Sequence, residues 1–481
     1  MADAVKSRYG RSKTRTGCVT CKAQLTIVSY VPTADGSLSA QPATALREQR
    51  ALAFFQHETA PEFSGLFSRE LWSRFMLLVA HHQSSVKHAL VALGTLHERF
   101  ATTGDTSHQG LTSEYALQHY NKAINGVIAI RDTKREDAAE IALVSCILFS
   151  CLESLRGYFQ SAITHLLSGI RIMHDLQKSS VSGGHHAYIP QAIIRALFLQ
   201  MDSQIMNIAG YNVAAGIPLA SEVELCLPVC YASPDDAMAD LIIIYNLATH
   251  LLYQAEMVVR DHGAGYPILD ELKQQRARYH QNRIRWQEAF QTMLLNNATG
   301  LHPRDPRCMI LDVHNNALGI ILSVDFVDPE TDFDQFADVF GAPRGPARIT
   351  PSFSLTMGVV SILWLAAARC RSPPIRYKAL SLLKSCNRRE GMWDSRIAAE
   401  IAEKLVAIEE AANMQQQQQP SGDGDGDDIA VQDDIMRVKT VKVRFGPEST
   451  GAASYSFMNS IEAYERDQRG VQVFNELMTW E

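Results

Sequence analysis

The stretch from Ala138 to Met173, AAEIALVSCILFSCLESLRGYFQSAITHLLSGIRIM, decides how the rest of the chain reads. Ala138–Arg156 is apolar on almost every side, which suits a helix enclosed by other helices and not one lying on a surface. Gly157 interrupts it and predicts a tight helix–helix turn. Beyond the turn, Phe159, Ile163, Leu166, Ile170 and Met173 recur at helical spacing along one face. On the other side, Ala116, Tyr120, Ala123, Ile124 and Val127 fall at i, i+4, i+7, i+8 and i+11 and form the same kind of stripe. A central buried helix flanked by amphipathic ones predicts an all-α fold, a multi-helix bundle of stacked helical hairpins.

Outward from this stretch the helical period holds from Leu46 to about Asn413. The clearest further runs are Glu70–Phe100, Gln191–Met206, Pro234–Val259, Leu269–Met293, Phe353–Cys370, Arg376–Cys386 and Asp394–Met414. Alternation of strand type is scarce. Val441, Val443 and Phe445, separated by Lys442 and Arg444, are the best strand candidate. No clean repeat of fixed period is visible. Residues 23–45 read as a linker. Residues 415–434 begin with Gln415–Gln419 and continue with Asp423, Asp425, Asp427, Asp428, Asp433 and Asp434 among glycines. Such a segment cannot bury enough apolar surface to offset its ordering entropy, so it is expected to be a disordered linker. The tail, 435–481, regains apolar and aromatic residues, consistent with folding back onto the helices.

Composition narrows the function classes. Of 481 residues, 46% are hydrophobic and 20% charged, the balance of a globular protein. The net charge of −7 excludes a chain that coats nucleic acid as a whole, so DNA contact has to come from a local basic segment. One exists in residues 1–22, where Lys6, Arg8, Arg11, Lys13, Arg15 and Lys22 face a single acid, Asp3. The nine cysteines are odd in number and several lie in apolar runs, which reads as a reducing compartment with buried thiols. Cys226 and Cys230 read as two packed thiols. The N-terminus has no apolar core of a secretory signal. The apolar runs Ile141–Leu152 and Gly358–Ala368 are shorter than the roughly 20 residues of a membrane-spanning helix, so no membrane partner is expected. Nucleus is the expected location.

The segment Lys13-Thr-Arg-Thr-Gly-Cys18-Val-Thr-Cys21-Lys22-Ala23 resembles the opening of the fungal Zn2Cys6 binuclear zinc cluster. In that family two Zn²⁺ ions share six thiolates spaced C-x2-C-x6-C, a short loop, and C-x2-C-x6-C again, and the small module depends on the metal to fold. The resemblance implies Cys18 and Cys21 as zinc ligands and Lys22 as a DNA contact on the reading helix. It continues in Leu90–Phe100, Tyr115–Ile124, Leu152–Ile170, Cys370–Leu380 and Arg388–Ser395. Together and in this order these pieces are similar to the all-helical regulatory region of the same regulators. The implied organisation is a basic cluster remnant (1–22), the linker (23–45), the regulatory block (46–414), the acidic linker (415–434) and the tail (435–481).

The sequence departs from the family after Ala23. Val28 stands where the third cysteine belongs, and Gln24, Leu25, Thr26 and Ile27 replace the expected basic residues. Two thiolates do not close a zinc site, so Cys18 and Cys21 are a remnant half-motif, and no zinc is expected in this chain. Either the module has been shed, or the sequence lacks the stretch encoding four more cysteines. The abrupt end of the match favours the second.

The expected function is regulation of RNA polymerase II transcription, with promoter DNA as the partner of a complete family member. A homodimer or other transcription regulators are further partners. The alternative is a helical interaction or effector-sensing module without DNA binding. No phosphate loop, H-E-x-x-H or G-x-S-x-G motif is present, so enzyme activity is not expected. A few polar side chains within the helical runs carry their own expectations. His81, His82 and His88 suit a metal only if a further ligand folds in. His165 and His174 read as core or surface residues. Arg156 is expected to cap carbonyls or pair with Glu153, and Arg388, Arg389, Glu390 and Trp393 to anchor the end of a bundle.

Overall fold

In a computed structural model the described residues are 42–103, 113–131, 137–178, 187–209, 225–263, 265–296, 301–326, 333, 335, 352–417, 438–445, 450–457 and 472–479. They are mainly helical, as the periodicity predicts. α1 (Pro42–Phe54) runs through a π turn (Phe55–Thr59) into α2 (Ala60–Ser64). A second π turn (Leu71–Phe75) opens α3 (Met76–His82), and α4 (Ser84–Thr103), α5 (Glu114–Arg131), α6 (Ala138–Leu155) and α7 (Phe159–Lys178) follow. Then come α8 (Gln191–Ala209), α9 (Pro234–His262), α10 (Ile268–Leu295) and α11 (Pro306–Ser323). The block closes with β1 (Ser352–Ser354), α12 (Val360–Arg369), α13 (Pro373–Cys386), β2 (Arg388–Glu390), β3 (Trp393–Asp394) and α14 (Ser395–Gln417). Beyond it lie β4 (Val438–Phe445), β5 (Thr450–Phe457) and β6 (Gln472–Thr479).

Consecutive helices pair: α4 with α5, α6 with α7, α9 with α10 and α12 with α13. These pairs are the expected hairpins, stacked through α4 on α6, α7 on α8 and α8 on α9. α6 is the axis. Every residue from Ile141 to Leu155 is buried, including the carboxylate of Glu153. The turn after it is built as the sequence suggests. Gly157 adopts φ +80°, its N–H donates to Ser154 O, and the Tyr158 N–H donates to Glu153 O at 2.8 Å. That pair of bonds is a Schellman stop, which needs a left-handed residue where glycine alone is unstrained. Trp286, wholly buried, donates from its indole to Ala237 O at 2.8 Å and stacks on Phe290, locking α10 onto α9.

Five sequence readings need correction. The Glu70–Phe100 run is not one helix: it begins with a π turn and breaks at Gln83, whose backbone is extended. Phe353 lies in a strand, not a helix, and α12 starts only at Val360, because Ser352–Ser354 pairs in parallel with Arg388–Glu390. α11 is not among the runs that periodicity picks out. Helix also begins at Pro42, within the segment read as linker, and continues to Gln417, past the Met414 boundary. Finally, Ala138–Leu155 and Pro234–Val259 are each long and apolar enough to cross a membrane by length and composition. Counting only unbroken apolar runs conceals this. The first is 83% buried within the bundle, as the core helix of a globular block would be; the second is 44% buried.

The strand candidate at Val441, Val443 and Phe445 is β4, the edge of an antiparallel sheet in the order β4-β5-β6. Val438 and Val443 join the main core, and β4 packs against α8.

Candidate functional site

Cys18, Cys21 and Lys22, the expected zinc and DNA residues, lie outside the described residues, as do most of the linkers at 23–45 and 415–434. What the structure does place is the polar chemistry inside the helical block, concentrated at three junctions.

The first is the end of the bundle, where α6 stops. Arg389, on β2, donates to Asp394 at 2.6 Å and to the carbonyls of Leu155 (3.0 Å) and Ser154 (3.3 Å). It thereby takes up the Leu155 carbonyl, of the kind that the last turn of a helix leaves without an intrahelical partner, and adds a second donor to Ser154 O beside the Gly157 N–H. Asp394 in turn caps α14, accepting from the N–H groups of Arg396 (2.9 Å) and Ile397 (3.3 Å). Glu390, 1% exposed, accepts from the first amides of α12, Val359 and Val360, and from Arg388 at 2.9 Å. One short β ribbon therefore holds the ends of three helices. The anchor role expected of Arg388, Arg389 and Glu390 is what these bonds perform. Trp393 packs against Trp364.

The second junction joins α5, α6 and α7. The Tyr120 hydroxyl donates to Glu153 at 2.9 Å, and it lies 3.2 Å from Nε2 of His165, with Arg156 donating to Glu153 at 3.1 Å. Arg156 thus pairs with the expected acid, and His165 is a hydrogen-bonded core residue. The third joins α8 to α9. His250 lies 2.6 Å from Asp202, and Asn246 donates to Asp202, Ser203 and Leu199. In both, the acid and the histidine are nearly inaccessible to a substrate, and in the second His250 Nδ1 and Asn246 Oδ1 are buried without a hydrogen-bond partner among the described residues.

A crevice lined by Trp364, Trp393, Ile397, Ile401, Val441 and Val443, with Asn207 and Asp394 at its polar end, encloses about 20 Å³. That is room for about one water molecule and not for an effector. Cys226 is exposed and Cys230 half-buried, which corrects the reading of two packed thiols.

One cluster is only partly visible in the sequence. His81 and His82 are exposed, but His88 meets His119 across the α4–α5 hairpin, Nδ1 to Nδ1 at 3.1 Å. Glu48 of α1 completes the group: its Oε1 lies 3.8 Å from His119 Nε2, and its Oε2 accepts from Lys87 at 3.1 Å. Burial, with Lys122 close by, lowers the basicity of both rings and takes His119 to about 4. Burial alone would push the Glu48 carboxyl up, but the Lys87 bond together with the charges of Lys87, His119 and His88 outweighs it and holds the carboxyl low. Sequence spacing offers no route to this set, because the three residues come from three helices.

Comparison with known proteins adds what geometry leaves open. The aspercryptin biosynthesis cluster-specific transcription regulator of Emericella nidulans is 24% identical to this chain over 461 residues, covering 76% of this chain and 73% of that protein. The chain is thus similar to a fungal transcription regulator over most of its length. A transcription regulator of Purpureocillium lilacinum is 27% identical over 119 residues, which span 22% of this chain and 28% of that protein. No family model matches the chain, and no solved structure matches it. Coverage of three quarters of this regulator relative has to run through the helical block. The likeness is therefore carried by helices, not by the N-terminal cysteines alone.

Proposed function

We propose that this chain regulates RNA polymerase II transcription in a fungal nucleus, at the genes of a biosynthetic cluster, through its helical block. The observation that carries this is the likeness, over 76% of the chain, to a regulator named for one such cluster. The physical reading agrees with it. The buried polar junctions tie helix to helix, and the block is built as a set of interlocked hairpins. Such a block presents surfaces to partners.

In this proposal the zinc cluster is incomplete: Cys18 and Cys21 are its surviving ligands and Val28 occupies the third position. Two thiolates leave a tetrahedral Zn²⁺ half-coordinated, so DNA specificity comes from a partner and not from Lys22 alone. A second regulator that carries a whole cluster supplies it, whether or not this chain also pairs with itself. The test has two arms. Deleting the gene changes transcription of a contiguous group of genes, read by RNA sequencing. In a gel shift, the 481-residue chain alone gives no zinc-dependent specific complex. An unchanged transcriptome refutes the regulatory reading, and a specific complex abolished by a chelator refutes the incomplete cluster.

The departure at Val28 favours one alternative: a helical interaction module that never sits on DNA and acts by pairing with full-length regulators. Chromatin immunoprecipitation of this chain separates the two: promoter occupancy favours the first reading, and its absence favours the alternative, while light scattering and nuclear pull-down test the pairing that both require. A monomer that captures no DNA-binding partner counts against both the alternative and the partner-supplied specificity.

A further inference from the structure

We propose that Glu48, His88 and His119 form a binding site for a divalent transition ion of the Zn²⁺ type, which clasps α1 onto the α4–α5 hairpin. One ligand atom from each residue lies within 4.8 Å of the others. Two imidazoles and a carboxylate are a donor set that Zn²⁺ takes with a water in the fourth position. Nitrogen donors also disfavour Ca²⁺ and Mg²⁺, which prefer oxygen.

The geometry of the histidine pair is the main argument. Their Nδ1 atoms face each other at 3.1 Å. Bonds of about 2.0–2.1 Å in a tetrahedral site put neighbouring ligand nitrogens roughly 3.3 Å apart, so an ion replaces the single shared proton with little ring movement. His119 is 1% exposed, and the Tyr115 ring at 4.6 Å and the His88 ring at 5.0 Å fix its orientation. Arg47 sits over Tyr115 at 3.9 Å, so the wall of the site is held from outside. Glu48 uses only one oxygen for Lys87, leaving Oε1 turned to His119. That contact is to Nε2, the ring nitrogen other than the one facing His88, so the half-buried Glu48 side chain has to rotate toward the Nδ1 pair to reach the ion.

Lys87 and Lys122 weaken the site without abolishing it, since both carry charge toward the ion. The expected affinity is below that of an all-thiolate structural zinc site. The consequence is positional. α1 is the first described helix after residues 1–41, which hold Cys18 and Cys21. A metal at Glu48 therefore fixes α1, the described helix that follows those residues, onto the α4–α5 hairpin.

The test uses the full 481-residue chain carrying Cys18→Ser and Cys21→Ser, so that the N-terminal thiols take no metal. After chelator treatment, calorimetric titration with Zn²⁺ shows one saturable site per chain, and Co²⁺ gives the absorption bands of a tetrahedral nitrogen–oxygen site without thiolate charge transfer. His88→Ala and, separately, Glu48→Gln weaken binding. His88→Ala does so by at least about a hundredfold, the upper end of what losing a mere supporting partner costs. His81→Ala with His82→Ala leaves binding intact. Zn²⁺ also raises the melting temperature of the parent and not of His88→Ala, as binding to the folded state alone requires. No saturable site, equal binding in both ligand variants, or loss of binding with His81 and His82 would each overturn the proposal. If His88→Ala fails to fold, Glu48→Gln decides the matter by the same titration.

Discussion

Replacing Arg389 by Met should be among the most damaging single changes available in the helical block. The guanidinium pairs with Asp394 at 2.6 Å and satisfies the last carbonyls of α6. Both side chains of the pair are at most 10% exposed. Removing one member of a buried pair costs about 3–5 kcal/mol, because the other charge stays buried. Two features move the expectation toward the lower end. Asp394 keeps the N–H groups of Arg396 and Ile397 as donors, and Met replaces most of the lost volume. The Leu155 carbonyl loses the Arg389 donor, which adds about 1 kcal/mol in the other direction, while Ser154 O keeps the Gly157 N–H. A loss of about 3–4 kcal/mol follows, read by urea denaturation followed by circular dichroism. Adding Asp394→Asn to Arg389→Met removes the second charge yet keeps a capping side chain, and should recover at least half of the loss. A single-variant loss below about 1 kcal/mol would show that solvent screens the pair, and a double variant no better than the single would refute the buried-charge argument.

Three further outcomes follow from the same structure. Gly391→Ala should cost at least about 1–3 kcal/mol, since Gly391 has φ +61° and an added Cβ would lie 2.3 Å from Gln204 Oε1; thermal melts against the parent check it. Glu409→Gln should free β4: Glu409 accepts from Arg376 (2.6 Å) and the Val438 N–H (2.9 Å) and forms an ion pair with Arg371 (3.2 Å), so hydrogen exchange at Val438 rises while α6 stays protected. Burial holds His314 at about 4 despite its bond to Gly358 O, so the unfolded chain takes up a proton there first as pH falls. Stability from this group is full above pH 6.5 and is lost between 6.5 and about 4, by up to about 3 kcal/mol; His314→Asn should flatten that part of the denaturation profile.

The helices that periodicity locates are those whose partners are close in sequence. α6, its Schellman stop at Gly157 and the stripe of α7 are local features, and each is legible from the amino acids alone. α11 escapes because Pro303 and Pro306 look like breakers, although Pro306 stands in the first turn with Asp305 as cap, where proline is at home. His314, Asn315 and Gly319 also dilute its apolar face. β1 is hidden for a different reason: Phe353 meets Arg389, far along the chain, and no local pattern encodes that pairing. The anchor residues Arg388 to Trp393 are legible as a polar group at a bundle end, but their partners on α6 are not. Glu48 and His119 illustrate the limit most plainly. Neither carries a motif, and they meet only because α1 and α5 both pack on α4.

Central to all of this is that the helical block acts on transcription whether or not this chain reads DNA by itself. The most direct test fuses the complete 481-residue chain to a heterologous DNA-binding module in a fungal cell and measures a reporter behind the matching sites. Reporter output is expected to change by several-fold relative to the module alone, and Cys18→Ser with Cys21→Ser should leave the change intact. A fusion that reaches the nucleus, occupies the sites and leaves the reporter flat would contradict it.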